Sequence, residues 1–114
     1  MVIDLTKIKI FLKPGVTDMR KAINGLSGIV RNELDKDPFS GNLFLFLHRN
    51  RDNMKAIYWE RNGYWLFQKR LEKHKFPWPD DDLKYWTLTK EELLMLLKGV
   101  DFFHVHSELK YGVP

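Results

Sequence analysis

The sequence predicts an α+β fold in which an antiparallel β-meander of four to five strands packs with two helices in a single domain. Residues 55–71 contain two runs of strand-forming residues joined by Asn62-Gly63, a pair typical of tight hairpin turns. Residues 43–48 are almost wholly apolar, and two other segments show apolar residues at helical spacing. With 114 residues, the chain is long enough for one hydrophobic core and too short for two comfortable domains.

The N-terminal part of the chain is predicted to form a strand and then a helix. In residues 7–13 apolar side chains alternate with lysines, which is typical of a half-buried or edge strand whose lysines protect its open side. Pro14-Gly15 is expected to end this strand. An apolar stripe then predicts a helix over residues 19–34, with Asp18 as its N-cap.

The middle of the chain is predicted to form a three-stranded antiparallel meander. Residues 43–48 are apolar on both faces, so we expect a central strand that is covered on two sides. The hairpin strands, residues 54–61 and 64–71, follow after a polar loop. Residues 73–82 are expected to be irregular because two prolines bracket Trp78, which should pin this loop onto the sheet.

The last part of the chain is predicted to contain a short strand and a helix. Residues 85–88 suit the strand, and a capping box that begins at Thr89 predicts a helix over residues 90–98. We place the folded core at about residues 7–101. The remaining tail, residues 102–114, contains a segment (FFHVH) that suits one more strand.

The hairpin turn also predicts which residues face each other. Asn-Gly favours a two-residue turn, which would put Arg61 opposite Tyr64. One face would then be basic and aromatic, and the other mostly apolar and part of the core. The pairs expected on the basic face are Lys55–Arg70, Ile57–Gln68, Trp59–Leu66 and Arg61–Tyr64. Two cations directly opposite each other are unfavourable unless an anion neutralises them, so this face is where we expect function.

The distribution of charge supports an anionic partner. The net charge is +4, but residues 48–75 hold eight Lys and Arg against three acids, whereas the rest of the chain is nearly balanced. A solvated surface is the alternative to a polyanion such as nucleic acid. The residues predicted to contact nucleic acid are Arg49, Arg51, Lys55, Trp59, Arg61, Tyr64, Lys69, Arg70 and Lys73. Packing of Trp59 on Leu66 is a structural alternative for that tryptophan.

The C-terminal helix offers a second candidate surface. It is apolar on two sides, so we expect it to be buried or bound to a partner protein through Leu93, Leu94 and Leu97. No signal peptide and no apolar run of transmembrane length is visible, so a cytoplasmic protein without membrane contact is expected.

Catalytic and metal chemistry are disfavoured by the motifs. The chain has no cysteine, no nucleophile elbow, no phosphate-binding glycine loop and no zinc-protease motif, so we predict no enzyme activity and no cofactor. His104 and His106 have metal-ligand spacing, but only Asp101 or Glu108 lies near them, so no metal site is predicted. The three acids at residues 80–82 are better explained as a turn than as a nuclease site.

Several blocks of sequence carry a resemblance to a known family. The chain resembles the small second-open-reading-frame protein, often called TnpB, of the insertion-sequence-66 family of bacterial transposons, which is unrelated to the RNA-guided nuclease of that name. The resemblance spans about residues 8–101. Its blocks are Gly15-Val16-Thr17-Asp18-Met19-Arg20-Lys21, Asn24-Gly25-Leu26, Asp37-Pro38-Phe39-Ser40-Gly41, Tyr58-Trp59, Asn62-Gly63, Lys69-Arg70-Leu71-Glu72, Trp78-Pro79 and Gly99-Val100-Asp101.

The resemblance implies an accessory protein that is encoded beside a larger transposase and assists movement of the element. It supplies no catalytic residues. Two hypotheses follow from it together with the residues. In the first, the basic face of the hairpin binds transposon DNA. In the second, the protein docks on the transposase of the same element without binding DNA itself.

Overall fold

The sheet has five strands, and its strand order differs from the chain order. The structure, a computed structural model, describes residues 3–103 apart from the side chain of Lys21. The elements are β1 (Ile10–Thr17), a one-turn 3-10 helix (Met19–Lys21), α1 (Ala22–Asn32), β2 (Leu43–His48), β3 (Asn53–Glu60), β4 (Gly63–Arg70), β5 (Trp86–Leu88) and α2 (Lys90–Leu97). The order across the sheet is β4-β3-β2-β1-β5.

The predicted α+β fold with two helices is confirmed, and so is the meander of β2, β3 and β4. The remaining pairings make the sheet mixed. β1 runs parallel to β2 and antiparallel to β5. Because a parallel pair needs a long crossover connection, the segment that contains α1 joins β1 to β2 across one face of the sheet.

β1 is a central strand, so the prediction of an edge strand was wrong. Ile10, Phe11 and Leu12 are all buried, because both sides of the strand are paired and both faces are covered. The strand also continues past Pro14, through a bulge in which the register with β2 shifts. Proline has no N–H to donate to the ladder, and it is tolerated there because the bulge interrupts the ladder at that position. Gly15 takes a φ of 71°, and its N–H donates to the Pro79 carbonyl at 2.9 Å.

β2 separates two hydrophobic layers, as its apolar sequence predicts. Leu43, Leu45 and Leu47 face the layer that α2 covers with Leu93 and Leu96. Phe44 and Phe46 face the layer that α1 covers. The second layer also contains Phe11, Met19, Leu26, Ile29, Val30, Leu34 and Ile57. The sheet is therefore covered by one helix on each face.

Both predicted helix starts are close to those observed. The Asp18 carboxylate accepts the Arg20 N–H at 3.0 Å, which confirms the N-cap. The first turn is a 3-10 turn, however, and the backbone bends at Ala22 (φ 44°), the first residue of α1. The capping box at Thr89 is confirmed, since the Thr89 side chain and the Glu92 side chain each accept the other residue's backbone N–H.

The segment between β4 and β5 is held to the sheet by Trp78. Its side chain is buried, and its indole N–H donates to the Lys13 carbonyl at 2.8 Å, as expected for a residue that pins the loop. Phe102 and Phe103 are helical rather than extended, and Phe103 packs into the core against Trp86 at 5.3 Å. The folded core therefore extends past residue 101. The rest of the predicted last strand, with His104 and His106, lies outside the described residues.

Replacing Trp78 with Phe should destabilise the protein by about 2 kcal/mol, because the Lys13 carbonyl loses a partner where water has little access. The measurement is urea denaturation followed by circular dichroism. Trp86→Phe is the matched control, because the Trp86 indole donates to the Asp81 carboxylate at an exposed position. A larger loss for Trp86→Phe than for Trp78→Phe would contradict this account.

Candidate nucleic-acid interface

The hairpin closes one residue earlier than predicted. Glu60 pairs with Gly63, so the two turn residues are Arg61 and Asn62. The positive φ falls on Arg61 (56°), and the Asn62 N–H donates to the Glu60 carbonyl at 2.6 Å. The predicted register was therefore wrong by two positions along β4.

This register separates the cations that we expected to face each other. Lys55 pairs with Gln68, and Arg70 pairs with Asn53. Since side chains alternate with a period of two, the shift leaves each residue on its predicted face and changes only its partner. The observed register is favoured because it avoids a pair of like charges and places the rings of Trp59 and Tyr64 5.0 Å apart, edge to face. Lys55 and Arg70 are therefore not an opposed pair of cations, and they give no evidence for an anionic partner.

The nine predicted contact residues do not form one surface. Trp59, Arg61 and Tyr64 lie at the turn of the hairpin, where β3 ends and β4 begins. Most of the other cations lie at the opposite end of the sheet. The eight residues of β3 separate the two groups by about 23 Å, given the usual rise per residue in a strand.

Four cations meet at the end of the sheet that lies away from the turn. Arg49 and Arg51 are in the loop from β2 to β3, Arg70 ends β4, and Lys73 follows it. We call these four residues the basic end. Hydrogen bonds hold the two segments together, because the N–H groups of Leu71 and Phe76 donate to the carbonyls of Asp52 and Arg51, at 2.7 and 2.8 Å.

The charges of the basic end are only partly paired. Arg51 lies 3.8 Å from the Asp80 carboxylate, and Arg70 lies 3.5 Å from that of Glu72. Among the described residues, Arg49 and Lys73 have no ion-pair partner and both are exposed. Exposed ion pairs contribute little to stability, so Arg51 and Arg70 can exchange these partners for another anion at small cost.

Two other predicted contacts, Lys69 and Lys55, lie on the faces of the sheet rather than at the basic end. The Lys69 ammonium donates to the Leu97 carbonyl at 2.8 Å, on the face of the sheet that α2 covers. It therefore supports the C-terminal end of α2, where a cation is favourable. Lys55 is half-buried on the opposite face, between Phe46 and Gln68.

The aromatic residues at the hairpin turn pack on each other and on Phe39, and the cross-strand partner of Leu66 is Ile57 rather than Trp59. Phe39 lies 4.8 Å from Trp59 and 5.9 Å from Tyr64, and the Arg31 guanidinium lies 5.5 Å from the Phe39 ring. We call Phe39, Trp59 and Tyr64 the aromatic tip. Phe39 is 49% exposed, so it presents more free ring surface than the half-buried residues that we predicted. The sequence contained one sign of this contact, because Phe39 is an apolar ring in an otherwise polar turn at residues 37–42.

The leucines of α2 divide between the core and the surface. Leu93 is buried, Leu97 is half-buried, and Leu94 is 42% exposed. An apolar cavity of about 280 Å³ lies beside the helix, between Leu93 and Leu97 of α2 and the β3 and β4 residues Met54, Ala56 and Phe67. Of the three predicted contacts, Leu93 is therefore the one that is buried in the core, whereas Leu94 is exposed and Leu97 borders the cavity.

Two of the three acids at residues 80–82 have structural partners. Asp80 lies beside Arg51, and the Asp81 carboxylate accepts the Leu83 N–H and the Trp86 indole N–H at 3.1 and 2.9 Å. In the part of the chain that the structure describes, no three His, Asp or Glu side chains are grouped so as to hold a metal ion. No helix within residues 3–103 is long and apolar enough to cross a membrane.

Comparison with known proteins gives one family match and two relatives. The model of the family described as IS66 Orf2 like protein matches residues 8–107. The uncharacterized protein y4hO of Sinorhizobium fredii (strain NBRC 101917 / NGR234) is 33% identical over 97 residues, covering 85% of this chain and 84% of that protein. The uncharacterized protein y4jC of the same strain is 32% identical over 98 residues, covering 86% and 84%. No solved structure matches the chain at a significant level.

Replacing Tyr64 with Phe should leave the fold intact and remove a loss of stability at alkaline pH. Burial raises the pKa of Tyr64, an effect that Ser27 and Arg31 partly oppose, and its hydroxyl has no hydrogen bond of normal geometry. The folded state favours the neutral form of Tyr64, which contributes to the free energy of unfolding at pH values below the ordinary pKa of tyrosine. This contribution is lost as the pH rises through the higher pKa of the folded state. At neutral pH the variant should be equally stable, or more stable by up to about 1 kcal/mol.

The measurement is the free energy of unfolding in urea at several values between about pH 9 and 11. Tyr58→Phe is the control, because it keeps Tyr64 and should keep the alkaline loss. Equal alkaline losses in the parent protein and in Tyr64→Phe would contradict the assignment.

Proposed function

Because the chain belongs to the family of IS66 Orf2 like proteins, we propose that it is a non-enzymatic accessory protein of insertion-sequence transposition that binds DNA through its basic end. The family membership confirms the resemblance found in the sequence and implies a role in transposition. The observation that carries the DNA-binding proposal is the meeting of Arg49, Arg51, Arg70 and Lys73 at one end of the sheet.

The arrangement of the basic end favours contact with the phosphate backbone. Its cations lie on loops and at a strand end, and Arg49 and Lys73 are free to pair with phosphates. Each phosphate that is neutralised releases counterions, which makes binding strongly dependent on salt and largely independent of sequence. Among the described elements, α1 and α2 pack on the sheet, so the supported mode is backbone binding rather than insertion of a helix into the major groove.

A second candidate function is docking on the transposase of the same element. It is favoured by the exposure of Leu94 on α2, the helix whose Leu93 and Leu97 line the apolar cavity between α2 and the sheet. Contiguous apolar surface, rather than a single exposed leucine, is typical of a protein contact, and Leu97 and the cavity provide further apolar surface on this helix. The two functions use different surfaces and are tested separately.

Replacing Arg70 and Lys73 with Gln should weaken DNA binding by removing up to two phosphate contacts. The slope of log K against log salt concentration should become less steep by up to about 1.8, since each contact contributes about 0.9. The measurement is fluorescence anisotropy with labelled duplex DNA of terminal-repeat and random sequence, between about 50 and 200 mM salt.

The matched control for this experiment is Lys9→Gln with Arg61→Gln. It removes the same charge from the other end of the sheet, because Lys9 precedes β1 and Arg61 is in the hairpin turn. The control should bind DNA nearly as tightly as the parent protein. Equal losses in the two double variants would argue for a general charge effect, and a larger loss in the control would place binding at the aromatic tip.

Leu94→Asp should abolish co-purification with the transposase if α2 is the docking surface. The fold should survive, because Leu94 is exposed and its replacement creates no cavity. Leu83→Asp is the matched control, since Leu83 is an exposed leucine in the loop before β5. Retained co-purification of Leu94→Asp, with an unchanged melting temperature, would rule out this docking surface.

A further inference from the structure

A cavity of about 290 Å³, lined by both apolar and charged residues, lies where the parallel strands β1 and β2 end side by side. Thr17 pairs with His48 at these strand ends, and the chain continues from them into Asp18–Arg20 and into Arg49. The residues that line the cavity are Val16, Thr17, Asp18, Met19, Arg20, His48 and Arg49. Its volume is at the small end of the range for ligand pockets, so it suits a small group rather than a large ligand.

Three side chains around the cavity offer hydrogen-bond donors to an anion. Arg20 is held by the Asp18 carboxylate, at 2.8 Å from Nη2 and 3.0 Å from Nε, which leaves its other N–H groups available. Arg49 has no ion-pair partner among the described residues. The Nδ1 atom of His48 accepts the Asn50 N–H at 3.1 Å, so the neutral imidazole carries its proton on Nε2, where it can donate.

Thr17 provides an independent sign that a partner is missing. Its side chain is only 6% exposed, and its hydroxyl has no hydrogen-bond partner among the described residues. A buried hydroxyl without a partner costs stability, and buried polar groups are usually satisfied. Because Thr17 is one of the residues that line the cavity, a ligand oxygen bound there could supply the acceptor or donor that this hydroxyl lacks.

The one carboxylate in the cavity does not exclude an anion. Asp18 lies within hydrogen-bond distance of Arg20, so the charges of these two residues largely offset each other. Arg49 then gives the lining a positive balance. The Asp18–Arg20 pair by itself has a structural explanation as a cap, but that explanation does not account for Arg49 or for the Thr17 hydroxyl.

We propose that this cavity binds a phosphate group with at most one organic substituent, through Arg20, Arg49, His48 and the Thr17 hydroxyl. Arginine matches phosphate geometry with two parallel N–H groups, which makes such contacts strong. A terminal phosphate carries one organic substituent and can enter a cavity, whereas an internal phosphodiester continues on both sides and needs an open groove. The group is the terminal phosphate of a DNA strand or a free phosphate. The first source rests on the proposed function, because it requires that the protein bind DNA.

The experiment has two parts that separate these sources. In the first, melting temperatures are measured with inorganic phosphate and with chloride at equal ionic strength, and phosphate should raise the melting temperature. In the second, anisotropy titrations compare 5′-phosphorylated and 5′-hydroxyl DNA of the same sequence. The phosphorylated strand should bind about tenfold more tightly, as expected for one or two hydrogen bonds to a charged group.

Two variants and one control assign the effect to the cavity. Arg49→Gln and Thr17→Val should each lose most of the phosphate-induced shift. Thr17→Val should melt at the same temperature as the parent or higher without phosphate, because it removes an unsatisfied hydroxyl at nearly constant volume. Arg61→Gln, which removes an arginine at the other end of the sheet, should behave as the parent does.

Each outcome either supports or overturns phosphate binding in the cavity. A phosphate shift together with preference for the phosphorylated strand, both lost in the two cavity variants, supports recognition of a strand end. A phosphate shift without that preference supports a free phosphate as the ligand, and if DNA does not bind at all it is the proposed function that fails. Absence of both effects in the parent protein, or their retention in Arg49→Gln and Thr17→Val, overturns the proposal even if DNA binding holds.

Discussion

The parallel pairing of β1 with β2 is the constraint on which the rest of the fold depends. It forces the chain to cross from one end of the sheet to the other, and α1 lies on that crossover and covers the layer of Phe44 and Phe46. It also makes both strands terminate at the same end of the sheet, which brings Thr17 beside His48. The bulge at Pro14 and Gly15 allows β1 to reach that end of the sheet, although Pro14 cannot donate a backbone hydrogen bond.

The elements that were predicted well from the sequence have local causes. The apolar run Leu43–His48 and the capping box at Thr89 depend on residues close together in sequence. The burial of Trp78 was predictable from its large apolar side chain between two prolines, but its hydrogen bond to the Lys13 carbonyl, 65 positions away, was not. The location of β1 depends on partners up to 78 positions away, such as Leu88 opposite Ile10, which no local pattern specifies. The hairpin register failed for a related reason, since packing between aromatic residues outweighed the preference of Asn-Gly for its own turn.

In the candidate sites, the sequence predicted where basic residues are concentrated but not which of them lie together in the fold. Density of basic residues along the sequence identified all four members of the basic end, but it could not separate them from Lys69, which supports α2, or from Arg61, which lies about 23 Å away. Phe39 and Arg20 were not predicted as contacts because they are distant in sequence from the hairpin. Only the packing of residues 37–42 on the hairpin and the meeting of two strand ends make them neighbours of the predicted residues.

The central position of β1 also determines when the fold can be completed. During synthesis β1 emerges early, and its partner β2 follows after the connection of residues 18–42, but β5 follows only after the whole hairpin has been synthesised. Until then one edge of an apolar strand is unpaired and exposed, which is a template for association with other chains. A hairpin can form within microseconds, whereas pairing across 78 positions must overcome a large loss of chain entropy. The last and slowest step of folding is therefore expected to be the closure of β5 on β1.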